Sequence, residues 1–137
     1  MKKIILGLLA LIALAAGAVC AMAAMQPDHI HVERSVSVAA SPADVAPFAE
    51  DLKKVNAWSP WEGKDPSMKR TYSERTAGVG ATYHWKGNDD VGEGRMTIKS
   101  TAPGKVVIEL NFIAPFEAIA DATIAYAAEG EGTKVTW

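Results

Sequence analysis

Trp58 and Trp61 stand three residues apart around Ser59-Pro60, and this pair carries the clearest chemical signal in the chain. Two indoles held by a rigid Ser-Pro turn are costly in a loop unless both rings are buried, against a core or against an apolar ligand. The chemistry they point to is the binding of something apolar in a pocket. Metal and acid-base chemistry find less support. His29 and His31 lie two apart on a strand-like stretch and could share a face, yet no third ligand follows at a recognisable spacing. Asn88-Asp89-Asp90 with Glu93 gathers carboxylates, but the spacing misses the calcium-loop pattern and fits a hairpin turn. His84 sits between Tyr83 and Trp85, so strand alternation turns it to the opposite face, toward solvent. Arg34, Glu109 and Asp121 interrupt strands that are otherwise apolar or small, and an inward charge of that kind is either paired or in contact with a ligand. Arg34 shares the face of Val32 and Val36 and is the most interesting of the three; an outward turn near the sheet edge is its other reading. The sequence holds no Gly-rich phosphate loop, nucleophile elbow or zinc signature, so no cofactor and no metal is expected.

The chain has 137 residues and a formal net charge of -2, which suits one domain. Removing Lys2 and Lys3 from the 14 basic residues leaves 12 against 16 acidic ones, and a basic nucleic-acid-binding stripe is not expected. The only cysteine, Cys20, falls in the apolar leader, so the folded part has no disulfide and no thiolate metal site.

That leader, residues 1–25, has a positive start followed by 22 uncharged residues, Ile4 through Met25, about 33 Å long as a helix. It reads either as a transmembrane anchor or as a signal peptide cleaved at Ala21-Met22-Ala23, with an apolar run longer than the usual roughly 7 to 15 residues. On both readings Lys2 and Lys3 stay in the cytoplasm and the domain at 28–137 faces outward, tethered to the inner membrane or secreted to a bacterial periplasm.

Ile30, Val32, Arg34, Val36 and Val38 alternate with polar residues as in a half-buried strand. Ser41-Pro42-Ala43-Asp44 is a helix start with a serine cap, proline at the first helical position and an early aspartate. Val45, Phe48, Ala49 and Leu52 then share one helical face, with Lys53-Lys54 at the C-terminal end. Six strands follow: 68–73, 81–86, 94–100, 105–112, 118–127 and 133–137, joined by short Gly-, Pro- and Asn-containing turns that predict an antiparallel meander.

This order of strand, helix, Trp-Ser-Pro-Trp segment and strands resembles the START-related superfamily, also called SRPBCC or the polyketide cyclase/dehydrase and lipid-transport family. The residues that carry the resemblance are Val32-Glu33-Arg34-Ser35-Val36 leading into Ala40-Ser41-Pro42-Ala43-Asp44-Val45, then Asn56 through Trp61, Thr71-Tyr72-Ser73, Gly78-Val79-Gly80, Gly87-Asn88 and Gly92 through Met96. They look like the membrane-anchored bacterial branch. The resemblance implies an α+β helix-grip (Bet v 1-like) fold, an antiparallel sheet with short N-terminal helices. It also implies a C-terminal helix along the concave face, whereas this chain stops at Trp137 within its last strand. The expectation is a truncated form that is unstable or aggregation-prone alone, which a cooperative melt from monomer would contradict.

The resemblance places function in a cavity of the sheet, with the Trp58 to Trp61 segment near its mouth. Expected lining residues are Trp58, Trp61, Tyr72, Tyr83, Trp85, Met96, Leu110, Phe112 and Tyr126, with Arg34 as a charged contact. Tyr83 and Trp85 lead, because alternation puts both on one face and aromatic rings with polar tips suit an amphipathic wall. Two functions follow. One is binding of a lipid-like or polycyclic apolar molecule by a membrane-tethered domain, favoured by the aromatic content and the lack of convergent acid-base residues. The other is a cyclase/dehydrase-like enzyme, in which His84, Arg34 or Asp89 would matter for turnover. Oligomeric state stays open.

Overall fold

A computed structural model describes Gly7, Ile12, 14–22, Met25 and 31–137. The chain divides into two units, Met1–Val32 and Glu33–Trp137. In the first, 14–22 forms a helix, α1, with exposed side chains. The anchor-or-signal reading and His29 fall largely on residues outside those described; among the described residues no helix is long and apolar enough to cross a membrane.

The second unit begins with β1 (Ser35–Val38) and continues through α2 (Pro42–Glu50), α3 (Leu52–Val55), β2 (Lys69–Tyr72), β3 (Thr82–Lys86), β4 (Glu93–Ala102), β5 (Lys105–Ala114), β6 (Ala118–Glu129) and β7 (Gly132–Thr136). The seven strands form one antiparallel sheet in the order β1-β7-β6-β5-β4-β3-β2. The expected meander is therefore present, and the first strand closes it by pairing with the last. That strand is shorter than the alternation from Ile30 predicts, although the backbone of Arg34 still pairs with Trp137 in both directions at 2.7 and 2.8 Å. Two register shifts in the β4–β5 ladder, at Glu93/Gly94 and Ile98/Ser100, add bulges, which bend a strand and deepen its twist.

Helix initiation follows the sequence. Ser41 adopts an extended backbone, its Oγ accepts from the Asp44 amide, and it donates to Asp44 Oδ2 at 2.6 Å. The single helix expected through Lys54 breaks at Asp51. That residue is extended, bridges to Ala77, and caps α3 by accepting from the Lys53 amide at 2.9 Å. Ala49 of α2 and Leu52 and Val55 of α3 enter the core, while Phe48 stays 45% exposed, unlike the common face predicted for Phe48 and Leu52. Helix α2 touches β6 and β7, and α3 touches β3. The core between helices and sheet is built on Leu52, Ile98 and Val106, with Tyr83, Trp85, Ile108, Ile124 and Tyr126 beside them.

Candidate functional site: an apolar cavity with a polar end

Period-two alternation sends Tyr83 and Trp85 of β3 to the inner face, where register sets Tyr83 opposite Met96 and Met96 opposite Leu110. Trp85 lies opposite Gly94, and Gly94 opposite Phe112. The indole uses that glycine: a Cβ at position 94 would sit 2.4 Å from Trp85 Cζ2 and 2.7 Å from the Asn111 carbonyl oxygen. Without it, Trp85 reaches across β4 to meet Phe112 edge to face, ring centroids 6.0 Å apart. Tyr72 stacks on Tyr83 at 4.8 Å, and Tyr83 lies 6.0 Å from Trp85, so four aromatic rings run across the sheet.

All of these side chains except Tyr72 help wall a cavity of about 380 Å³, within the size range of small-molecule sites. Tyr83, Trp85, Met96, Leu110 and Phe112 are part of its wall, with Ile108, Ala122 and Ile124 from the same face. Trp58 and Trp61 line it too, but at the mouth. They are 45% and 51% exposed rather than buried as the Ser-Pro turn suggests. Trp58 Nε1 donates to the Phe48 carbonyl at 3.0 Å, which fixes this ring against α2.

Three expected residues lie elsewhere. Tyr72 sits behind Tyr83 on the edge strand β2, where its hydroxyl accepts from Asn56 Nδ2. Tyr126 is buried, but its hydroxyl donates to Glu50 Oε1 and ties β6 to α2; burial first, then Glu50, pushes that hydroxyl up to about 12. Arg34 is exposed and donates to the Glu33 carbonyl at 2.7 Å, because the shortened first strand carries it to the sheet margin. His84 faces away from the cavity, as alternation requires, and contacts Glu93 Oε1 at 3.0 Å, while Lys86 holds Glu93 Oε2 at 2.6 Å. Among the described residues, no three His, Cys, Asp or Glu side chains are arranged to hold a metal ion.

The sequence reading missed the polar end of the cavity. Asn56 and Glu62 both line it. Glu62 Oε2 accepts from Arg70 Nε at 2.9 Å and Nη2 at 2.5 Å, and its Oε1 has a long contact, 3.4 Å, from the Tyr83 hydroxyl. Asn56 Oδ1 is buried without a hydrogen-bond partner. Burial, then the charge of Glu62, pushes the Tyr83 hydroxyl above its ordinary value, so it stays protonated at neutral pH.

Asp65 fixes the neighbouring loops. Its Oδ1 accepts from the Ser67 hydroxyl at 2.7 Å and the Ser67 amide at 3.0 Å, and its Oδ2 accepts from the Asn88 amide at 2.8 Å. The Ser67 hydroxyl, then the Asn88 amide, hold this carboxyl below its usual range. A depressed folded value contributes stability above the unfolded value, near pH 4, which is lost as pH falls through the folded one. Asp65→Asn is therefore expected to lower the melting temperature at pH 7, with the gap to wild type shrinking below about pH 4. Melting curves from pH 7 to pH 3 check this, and a gap independent of pH would contradict it.

No protein-family model matches the chain, and no curated protein sequence does either. Among solved structures, the chain is similar to an uncharacterized protein from Rhizobium leguminosarum, at 17% identity and TM-score 0.58, covering 77% of this chain and 71% of that one. It is similar to Ara h 8.0201 at 13% identity and TM-score 0.55, covering 77% and 71%. Protein Ms6760 from Mycobacterium smegmatis gives 17% identity and TM-score 0.53, covering 76% and 68%. Sequence identities this low carry the fold alone, and with the seven-stranded antiparallel sheet and its short helices they make this an α+β helix-grip domain.

Proposed function

We propose that this domain binds a hydrophobic small molecule in the cavity between its sheet and the Trp58 to Trp61 segment, as a START-related protein would. The observation that carries the reading is the continuous apolar wall of Tyr83, Trp85, Met96, Ile108, Leu110 and Phe112 around about 380 Å³. Burying a ligand of that size against such a wall is favourable at roughly 25 cal/mol per Å² of apolar surface, before the costs of association.

Ala122 offers the test, since it lines the cavity with a side chain that a larger one can replace. Ala122→Phe is expected to fill the space and weaken binding of the neutral fluorophore N-phenyl-1-naphthylamine at least ten-fold, on the order of 1.4 kcal/mol, with the fold retained. Fluorescence titration reads the affinity and circular dichroism the fold. Undiminished binding by the folded variant would refute the site.

A cyclase/dehydrase-like enzyme is the second reading, and Glu62 with Tyr83 is what favours it, as the acid-base pair that reaches the cavity. Tyr83→Phe would abolish turnover in such an enzyme and leave apolar binding nearly intact. The leader completes the proposal by tethering the domain to the inner membrane or exporting it to the periplasm. Recovery of the full chain in the membrane fraction after alkaline washing supports the tether, and recovery in the wash argues for release.

A further inference from the structure

We infer that the cavity selects an apolar molecule bearing a neutral hydrogen-bond donor, an alcohol or phenol, and rejects one ending in a carboxylate. This rests on the binding reading above and names the ligand class for the same site.

Charge supplies the first half. Glu62 and the exposed Asp89 and Asp90 line the cavity, and among the described residues no lysine, arginine or histidine does. Arg70, the cation behind the inner end, has its guanidinium turned onto Glu62 Oε2 and the Met68 carbonyl. Lys64 stands over the Trp61 ring, 5.5 Å from its centroid, at the mouth. A carboxylate entering this space would lose its hydration and face three acidic groups without a cation in the wall to replace water.

Hydrogen bonding supplies the second half. Two acceptors belong to wall residues and have capacity left: Asn56 Oδ1, buried with no partner, and Glu62 Oε1, with only the 3.4 Å contact from Tyr83. Of the neighbouring donors, Trp58 Nε1 is engaged on the Phe48 carbonyl at 3.0 Å, Trp85 Nε1 makes a long contact, 3.4 Å, to the Val91 carbonyl, and the Tyr83 hydroxyl is turned to Glu62 Oε1 itself. A ligand hydroxyl satisfies an acceptor here, while a second acceptor brought to the same place leaves both unpaired. A buried acceptor left without a partner discriminates between ligands that pair with it and ligands that do not.

The test compares three probes of one ring system on the full chain at pH 7: 1-methylpyrene, 1-pyrenemethanol and 1-pyrenecarboxylate, each followed by energy transfer from tryptophan. Pyrenemethanol is expected to bind at least ten-fold more tightly than the carboxylate. Asn56→Leu is expected to cut the ratio of pyrenemethanol to methylpyrene affinity at least five-fold, which a merely structural role for Asn56 would not produce. Glu62→Gln is expected to narrow the alcohol-to-carboxylate ratio by raising carboxylate affinity. Equal or tighter carboxylate binding by the wild type overturns the inference, and so does methylpyrene binding with no gain from the hydroxyl. If none of the three probes binds, the cavity reading falls with it.

Discussion

Gly94→Ala is expected to destabilise the domain by about 1 to 3 kcal/mol, the cost of inserting a methyl group into a filled interior. The melting temperature should fall by roughly 4 to 8 °C for each kcal/mol lost. The new Cβ meets the Trp85 ring at 2.4 and 2.5 Å and the Asn111 carbonyl oxygen at 2.7 Å, all far inside contact distance. Relief requires the indole to swing into the cavity or β4 and β5 to part, so apolar ligand affinity falls as well. Trp85→Leu in the same chain should recover part of the loss, because it removes the ring collision and leaves the carbonyl collision. A thermal melt of wild type, both single variants and the double variant checks this. A Gly94→Ala protein that melts and binds like wild type would refute the account of how Trp85 is seated.

Leu52→Ala is expected to cost about 2 to 5 kcal/mol, the range for a fully buried leucine reduced to alanine. Leu52 is 0% exposed and begins α3, the helix that delivers Asn56 and the Trp58 to Trp61 segment to the cavity. Phe48→Ala is the control. Helical spacing alone puts Phe48 and Leu52 on the same face, whereas the break at Asp51 leaves Phe48 45% exposed. The Phe48 variant should therefore stay within about 0.5 kcal/mol of wild type, as surface substitutions do. Chemical denaturation reads both values, and equal losses would mean that the helix runs on unbroken.

Much of the fold is legible in the residues because strand alternation is a local property. Tyr83 and Trp85 on one face with His84 on the other, and the turns at Gly87 to Gly92 and Ala102 to Gly104, need nothing beyond their immediate neighbours. The break at Asp51 is harder, since Asp51 continues a helical pattern and it is Ala77, 26 positions away, that holds it extended. Gly94 opens the strand predicted at 94–100, where a glycine two residues after Gly92 reads as part of the turn rather than as a close approach. Its partner ring is fixed only by register.

The polar end of the cavity left no trace. Asn56, Glu62, Arg70 and Tyr83 carry no shared spacing and meet only because β2, β3 and the segment before them fold onto one another. Arg34 shows the converse. Alternation left it either inward or turned out near the sheet edge, and the structure has it exposed at the margin, on the same exposed face as Val36.

The pairing of β1 with β7 sets the order in which this molecule can assemble. The Ser35 and Thr136 hydroxyls bond at 2.9 Å across 101 positions of chain. The hairpins from β3 to β7 join neighbours in sequence and form on short loops, but the margin bearing β1 must wait for the last strand to leave the ribosome. Until then residues 35–38 have no ladder to join, so the margin that carries β1 forms after the hairpins from β3 to β7, while the opposite margin is the edge strand β2.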